Sequence, residues 1–133
     1  MRVMIDTNVL ISALLFPKSR VSRVLEGIAS GHTLVLASFV VEELRAVVER
    51  KFPAKVSTVE RMLDRMSYEW ACTPRQIEPG MFEIRDAKDY PVLYTAMTNG
   101  VDILVTGDKD FAEVRVDMPR IMTPSQFADE FLD

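Results

Sequence analysis

The chain holds a single cysteine, Cys72, and a single histidine, His32, among its 133 residues. That scarcity excludes a disulfide framework and a zinc finger, and it limits any His/Cys chemistry to one pairing. Tryptophan is equally rare, with Trp70 alone. Long apolar runs are missing: nothing approaches the ~20 residues that span a bilayer. The amino terminus lacks a basic region followed by an apolar stretch and a cleavage site, so a cytoplasmic protein without a membrane segment is expected. Internal repeats, low-complexity tracts and linkers are absent too, and the length suits one domain covering 1–133. What is present is ordinary for a globular chain: 48% apolar and 27% charged residues. Such a chain buries about two-thirds of its unfolded surface and folds without staples.

Charge is unevenly spread. Residues 1–65 carry ten Lys/Arg against seven Asp/Glu, and residues 66–133 carry six against thirteen, for a net −4. An acidic protein binds nucleic acid poorly unless its carboxylates hold cations, which invert the local field. Net charge therefore leaves the partner undecided.

Local patterns alternate between strand and helix. Arg2-Val3-Met4-Ile5 reads as a short buried strand ending at Asp6-Thr7-Asn8. Val9 to Phe16 is almost wholly apolar and suits a deeply packed helix stopped by Pro17. Ser19 or Ser22 opens a second helix that Gly31 closes. Thr33 to Ala37 is the next buried strand, and Ser38 is placed to cap a helix from about Phe39 to Phe52, with Val40, Val41, Leu44, Val47 and Val48 on its inner face. A helix from Val56 to Trp70 is expected, then an aperiodic stretch from Ala71 to Glu83 holding one short strand. Pro91 starts a helix that Gly100 ends, Ile103-Leu104-Val105 is the third clear strand, and Ile121-Met122 forms a last one before a helix opened by Thr123-Pro124. Strands apolar on both faces and separated by helices predict an α/β fold, with a central parallel sheet covered on both sides.

In such a sheet, ligands bind beyond the carboxyl ends of the strands. Two strands end in aspartate, Ile5 into Asp6 and Val105 into Thr106-Gly107-Asp108. Asp89 precedes the helix feeding the second of these, with Asp86 three residues upstream. In the Glu42-Glu43 pair, ~100° per residue turns Glu42 to solvent and leaves Glu43 able to reach over the sheet edge. Carboxylates gathered there repel one another unless protonated or bridged by cations. An oxygen-rich, histidine-free set favours Mg²⁺ or Mn²⁺, and phosphoryl transfer is the chemistry such sites support. Singly, each acid has a simpler explanation. Asp6 and Asp89 are good helix caps, Asp108 suits a Gly-Asp turn, and Glu43 is an ordinary helical charge. Together they exceed what capping requires.

These residues resemble the PIN-domain family of metal-dependent ribonucleases, and within it the VapC-like toxins of toxin–antitoxin modules. Ile5-Asp6-Thr7-Asn8-Val9-Leu10 is similar to the first motif, and Ser38 to Leu44, with Glu43, to the second. Asp89 through Ala96, then Gly100 to Phe111, is similar to the third and fourth. The resemblance spans nearly the whole chain and implies a three-layer α/β/α PIN-like fold. It implies an acidic quartet of Asp6, Glu43, Asp89 and Asp108 that holds Mg²⁺ or Mn²⁺ and cleaves RNA phosphodiesters, leaving 5′-phosphate and 3′-hydroxyl ends. Asn8 and Thr106 fall on supporting polar positions, and Asp110 is an additional acid. Asp86 competes with Asp89 for the third position, where Asp89 has the better spacing. A small antitoxin protein and a homodimer are implied as partners.

Arg20 and Arg23, following the loop near the first motif, are candidate phosphate contacts. His32 reads as a surface turn residue, Cys72 as a small buried one, and Tyr68 and Trp70 as packing residues at a helix end. A haloacid-dehalogenase-type phosphohydrolase would need a second aspartate where Asn8 stands, and a receiver domain would need its lysine in another context than Lys109. The alternative from a different class is a PIN-like domain that binds RNA or protein without catalysis. Such domains lose acids that this chain retains.

Overall fold

The computed structural model describes residues 1–132. Five parallel strands form one sheet in the order β3-β2-β1-β4-β5. They are β1 (Arg2–Ile5), β2 (Thr33–Ala37), β3 (Glu69–Ala71), β4 (Ile103–Val105) and β5 (Arg120–Met122). β1 lies at the centre, with Met4 in register with Val35 of β2 on one side and Leu104 of β4 on the other. The chain builds outward from β1 to β3, then returns to the far side of β1 for β4 and β5. The order therefore reverses between β1 and β4, which is the switch point where parallel sheets place their ligands.

Seven α-helices stand among the described residues: α1 (Thr7–Leu15), α2 (Arg20–Gly31), α3 (Ser38–Lys51), α4 (Val56–Arg65), α5 (Tyr90–Thr98), α6 (Lys109–Ala112) and α7 (Pro124–Phe131). All residues of β4, and all of β1 after Arg2, are buried, so helices cover both faces of the central strands in the expected three-layer α/β/α arrangement. The core includes Met4, Ile5, Leu10, Leu36, Leu44, Leu93 and Leu104, each without exposed surface. Each such side chain contributes about 1.5–3 kcal/mol through burial.

Most boundaries follow their local signals. Ser19 caps α2 by accepting from the Ser22 amide at 3.1 Å. Thr123 and Gln126 form a reciprocal capping box at the start of α7. Gly100, at φ 63°, turns the chain out of α5 in a conformation that costs other residues about 1–2 kcal/mol.

Several expectations are corrected. Ser38 does not cap α3: it is the first helical residue, and its hydroxyl accepts from the Thr73 amide at 2.8 Å. Thr73 returns the favour across the sheet end, its hydroxyl accepting from the Phe39 amide at 3.1 Å. The helix expected to reach Trp70 stops at Arg65, because Glu69–Ala71 gain a ladder against Val35–Ala37 as edge strand β3. Trp70 is consequently 48% exposed on that edge, and no strand forms from residue 72 to residue 83. Cys72 is exposed rather than buried, since it follows directly on the end of the edge strand. His32 is half-buried, its ring edge-on to Phe127 and Phe131 of α7 at 5.6 and 5.5 Å. No described helix is long and apolar enough to cross a membrane.

Candidate functional site

β1 and β4 end side by side, and their last residues set the site. The Asp6 amide donates to the Val105 carbonyl at 3.2 Å, which locks the first residue beyond β1 against the end of β4. Asp6 is 4% exposed. Its Oδ1 accepts from the Val9 amide at 2.9 Å, capping α1, and its Oδ2 accepts from the Thr106 hydroxyl. Thr106 in turn accepts from the Asp108 amide at 3.1 Å, and Asp108 caps α6 by accepting from the Asp110 amide at 2.9 Å. One hydrogen-bonded path thus runs Asp6–Thr106–Asp108–Asp110 across the two strand ends. The capping explanation holds for Asp6, and Asp108, expected in a Gly-Asp turn, is a cap as well, but this uses one oxygen of Asp108 and does not account for the neighbours.

Those neighbours are acidic. Burial pushes the Asp6 carboxyl above its ordinary value, against the Thr106 and Val9 hydrogen bonds, with the charges of Asp108 and Glu43 adding to the rise. Glu43 is half-buried on α3 and near enough for its charge to act on Asp6, while Glu42 is exposed, as the helical geometry predicts. Asp89 lies at the start of α5 but caps nothing with its side chain, and its Oδ2 is buried without a hydrogen-bond partner. Desolvation raises its pKa to about 7, helped by the charges of Asp108 and Asp86, by the hydrogen bond its protonated form makes with Asp108, and by the charge of Asp110.

The rivalry between Asp86 and Asp89 resolves into a partnership. One carboxylate oxygen each from Asp86, Asp89 and Asp110 lie within 4.8 Å of one another. Asp86 is held there by its own turn, its carboxylate accepting from the Lys88 amide at 3.0 Å and its carbonyl from the Asp89 amide at 3.0 Å. The expected quartet and this trio overlap at Asp89, so the acids from four separate segments form one continuous group. All donors are carboxylate oxygens, one is buried and unpaired, and burial together with mutual repulsion favours a proton on Asp89 near neutrality. That set fits a hard divalent cation of the Mg²⁺ or Mn²⁺ type, which would satisfy the orphaned oxygen and remove the repulsion.

The supporting candidates separate. Thr106 is buried and joined to Asp6, whereas Asn8 is exposed at the start of α1. Arg20 pairs at 3.6 Å with Asp129, near the far end of α7 from the strand carboxyl edge, and Arg23 is exposed on α2. Two residues escaped the sequence reading. Thr7 is 5% exposed with its hydroxyl unpaired beside Asp6, a position marked only by its place between two candidate residues. Arg85 stands 4.0 Å from Asp110 at the rim of the site, and its adjacency to Asp86 was the available signal.

No curated protein matches the sequence. Solved structures that resemble the fold include two VapBC assemblies. One is VapBC2 from Rickettsia felis bound to a DNA fragment from the promoter, with a TM-score of 0.69, 18% identity, and coverage of 92% of this chain and 97% of that one. The other is DNA-bound VapBC from Salmonella typhimurium, with a TM-score of 0.69, 18% identity, and coverage of 93% and 98%. At such identity the likeness concerns the fold. The family model of the PIN domain matches residues 2–110. That span takes in every acid of the site, and the chain belongs to the PIN domain family.

Proposed function

We propose that this chain is a metal-dependent endoribonuclease, one domain over 1–133, acting as the toxin of a type II toxin–antitoxin module. The observation that carries the reading is the gathering of Asp6, Glu43, Asp89 and Asp108 at the switch point, with a buried Asp89 oxygen left unpaired. The toxin assignment draws on the family and on the likeness to VapBC assemblies. From these come the further elements of the proposal: a small antitoxin as partner, a homodimer, and action in the cytoplasm.

Asp6, Glu43, Asp89 and Asp108 would hold Mg²⁺ or Mn²⁺, with Asp86 and Asp110 extending the set. Bound there, such an ion would supply charge neutralisation for the phosphate, a polarised water and stabilisation of the leaving oxygen. The chain's own contribution is order. Thr106 fixes the Asp6 carboxylate from one side and the Val9 amide from the other, so this buried ligand keeps one orientation. The Asp110 amide does the same for Asp108. Asn8, exposed beside Asp6, offers a polar group to waters and ribose hydroxyls. Arg85, exposed at the rim, suits phosphate contact, and Arg20 and Arg23 are assigned to the more distant path of the RNA.

Cleavage of a labelled structured RNA tests the reading, with Mn²⁺, with EDTA, and with Asp108→Asn. Metal-dependent cleavage that falls at least a hundredfold in the mutant is expected. Intact RNA under every condition would move the assignment to a binding domain without catalysis.

A further inference from the structure

We propose that the cleft beside β5 is a nucleobase subsite that seats the base next to the scissile phosphate. The inference rests on the ribonuclease reading and adds to it where sequence preference is decided. The cleft has a volume of about 600 Å³ and begins at the acids, since Thr106 and Asp108 line its inner end. Ligand pockets run from about 300 to 1,000 Å³, so one nucleoside fits and a folded partner does not. Phe111, Val114, Val116, Met118 and Ile121 give it apolar walls.

Charge selects which part of a nucleotide enters. Asp108 and Asp117 line the cleft, and Arg120 is already engaged by Glu130 at 2.9 and 2.8 Å. A phosphate is repelled there, and the uncharged base is not. Two polar features can read a base edge. The Arg120 amide donates to the Asp102 carbonyl, and the Met122 carbonyl accepts from the Thr106 amide, so both residues face β4. By the alternation of a parallel ladder, the amide and carbonyl of Ile121 between them point outward from the edge strand into the cleft. They offer one donor and one acceptor. Gln126 spends its Oε1 on the Thr123 amide, and its Nε2 makes no hydrogen bond among the described residues. A flat heteroaromatic ring with mixed donors and acceptors matches this lining, against the apolar wall.

Methyl NMR of the intact chain tests the subsite without requiring turnover. The protein, kept in EDTA, is titrated with the four uncharged nucleosides and with ribose. Saturable shifts are expected at the Val114, Val116, Met118 and Ile121 methyls for at least one nucleoside, and none for ribose. Gln126→Glu keeps the capping oxygen and removes the amide donor, so it should reorder the four affinities by threefold or more. Equal shifts with ribose would overturn the proposal, as would methyls that ignore every nucleoside or move only on dilution, the sign of a protein contact. RNA cleavage without methyl shifts removes the subsite alone. Base-selective shifts without cleavage remove the ribonuclease reading and leave the base site standing.

Discussion

Asp89 shows at the level of one side chain why this site is held at a cost without cations. Its pKa rises from 3.8 to about 7, because partial burial and the charges of Asp108, Asp86 and Asp110 all disfavour ionisation. The folded chain thus binds this proton more tightly than the unfolded chain does. The contribution to stability is favourable at low pH and is lost as pH climbs from about 4 through about 7. Asp6, also raised, acts in the same direction. Asp89→Asn removes one charge from the group without changing its shape. Thermal melts in EDTA should show the variant gaining on the natural chain steadily between pH 5 and pH 7.5. A difference independent of pH would contradict the account of Asp89. The identities of these acids were legible in the sequence because strand ends mark them. The unpaired Oδ2 of Asp89 was not, since only packing decides which polar atom is left without water.

At the scale of the element, the long connection between β3 and α5 carries Asp86 and has no secondary structure to hold it. Its order comes from Tyr90 at the start of α5. The phenol donates to the Glu78 carbonyl at 2.6 Å and accepts from the Met81 amide at 3.2 Å, while the ring stacks on Phe82 at 4.2 Å. The clamp closes the loop immediately before Asp86. Tyr90→Phe preserves the stack and deletes both hydrogen bonds, at a cost of about 1 kcal/mol. Faster amide exchange at Met81 and a severalfold weaker Mn²⁺ affinity by calorimetry are expected, the second because Asp86 loses its fixed place. Unchanged Mn²⁺ affinity would mean that the turn around Asp86 holds itself. Periodicity found α3 within a residue because its apolar positions repeat every three and four. It overran α4, because Tyr68 and Trp70 suit either element. Only the ladder with β2 settles Glu69 to Ala71 as strand.

On the scale of the whole molecule, the parallel sheet acts as the frame that turns separate carboxylates into one group. An ion that binds the folded chain alone stabilises it by linkage, about 2.7 kcal/mol at a hundred times its Kd. Calorimetry should therefore show Tm rising by several degrees with Mn²⁺, reversibly with EDTA, and by much less in Asp108→Asn. A rise equal in both proteins would point to scattered surface binding. The sequence by itself determined the α/β class, the buried strands Arg2–Ile5, Thr33–Ala37 and Ile103–Val105, and the acids at their ends. Hydrophobic runs, caps and strand-end aspartates are local signals, readable over a few residues. Tertiary structure alone decided that Asp86 and Asp110 join Asp89, that Arg20 pairs away from the strand ends, and that a cleft opens beside β5. Each of these depends on which strands become neighbours and which become edges. That choice is made by packing between segments as far apart as β1 and β4, about a hundred residues along the chain, and no local pattern encodes it.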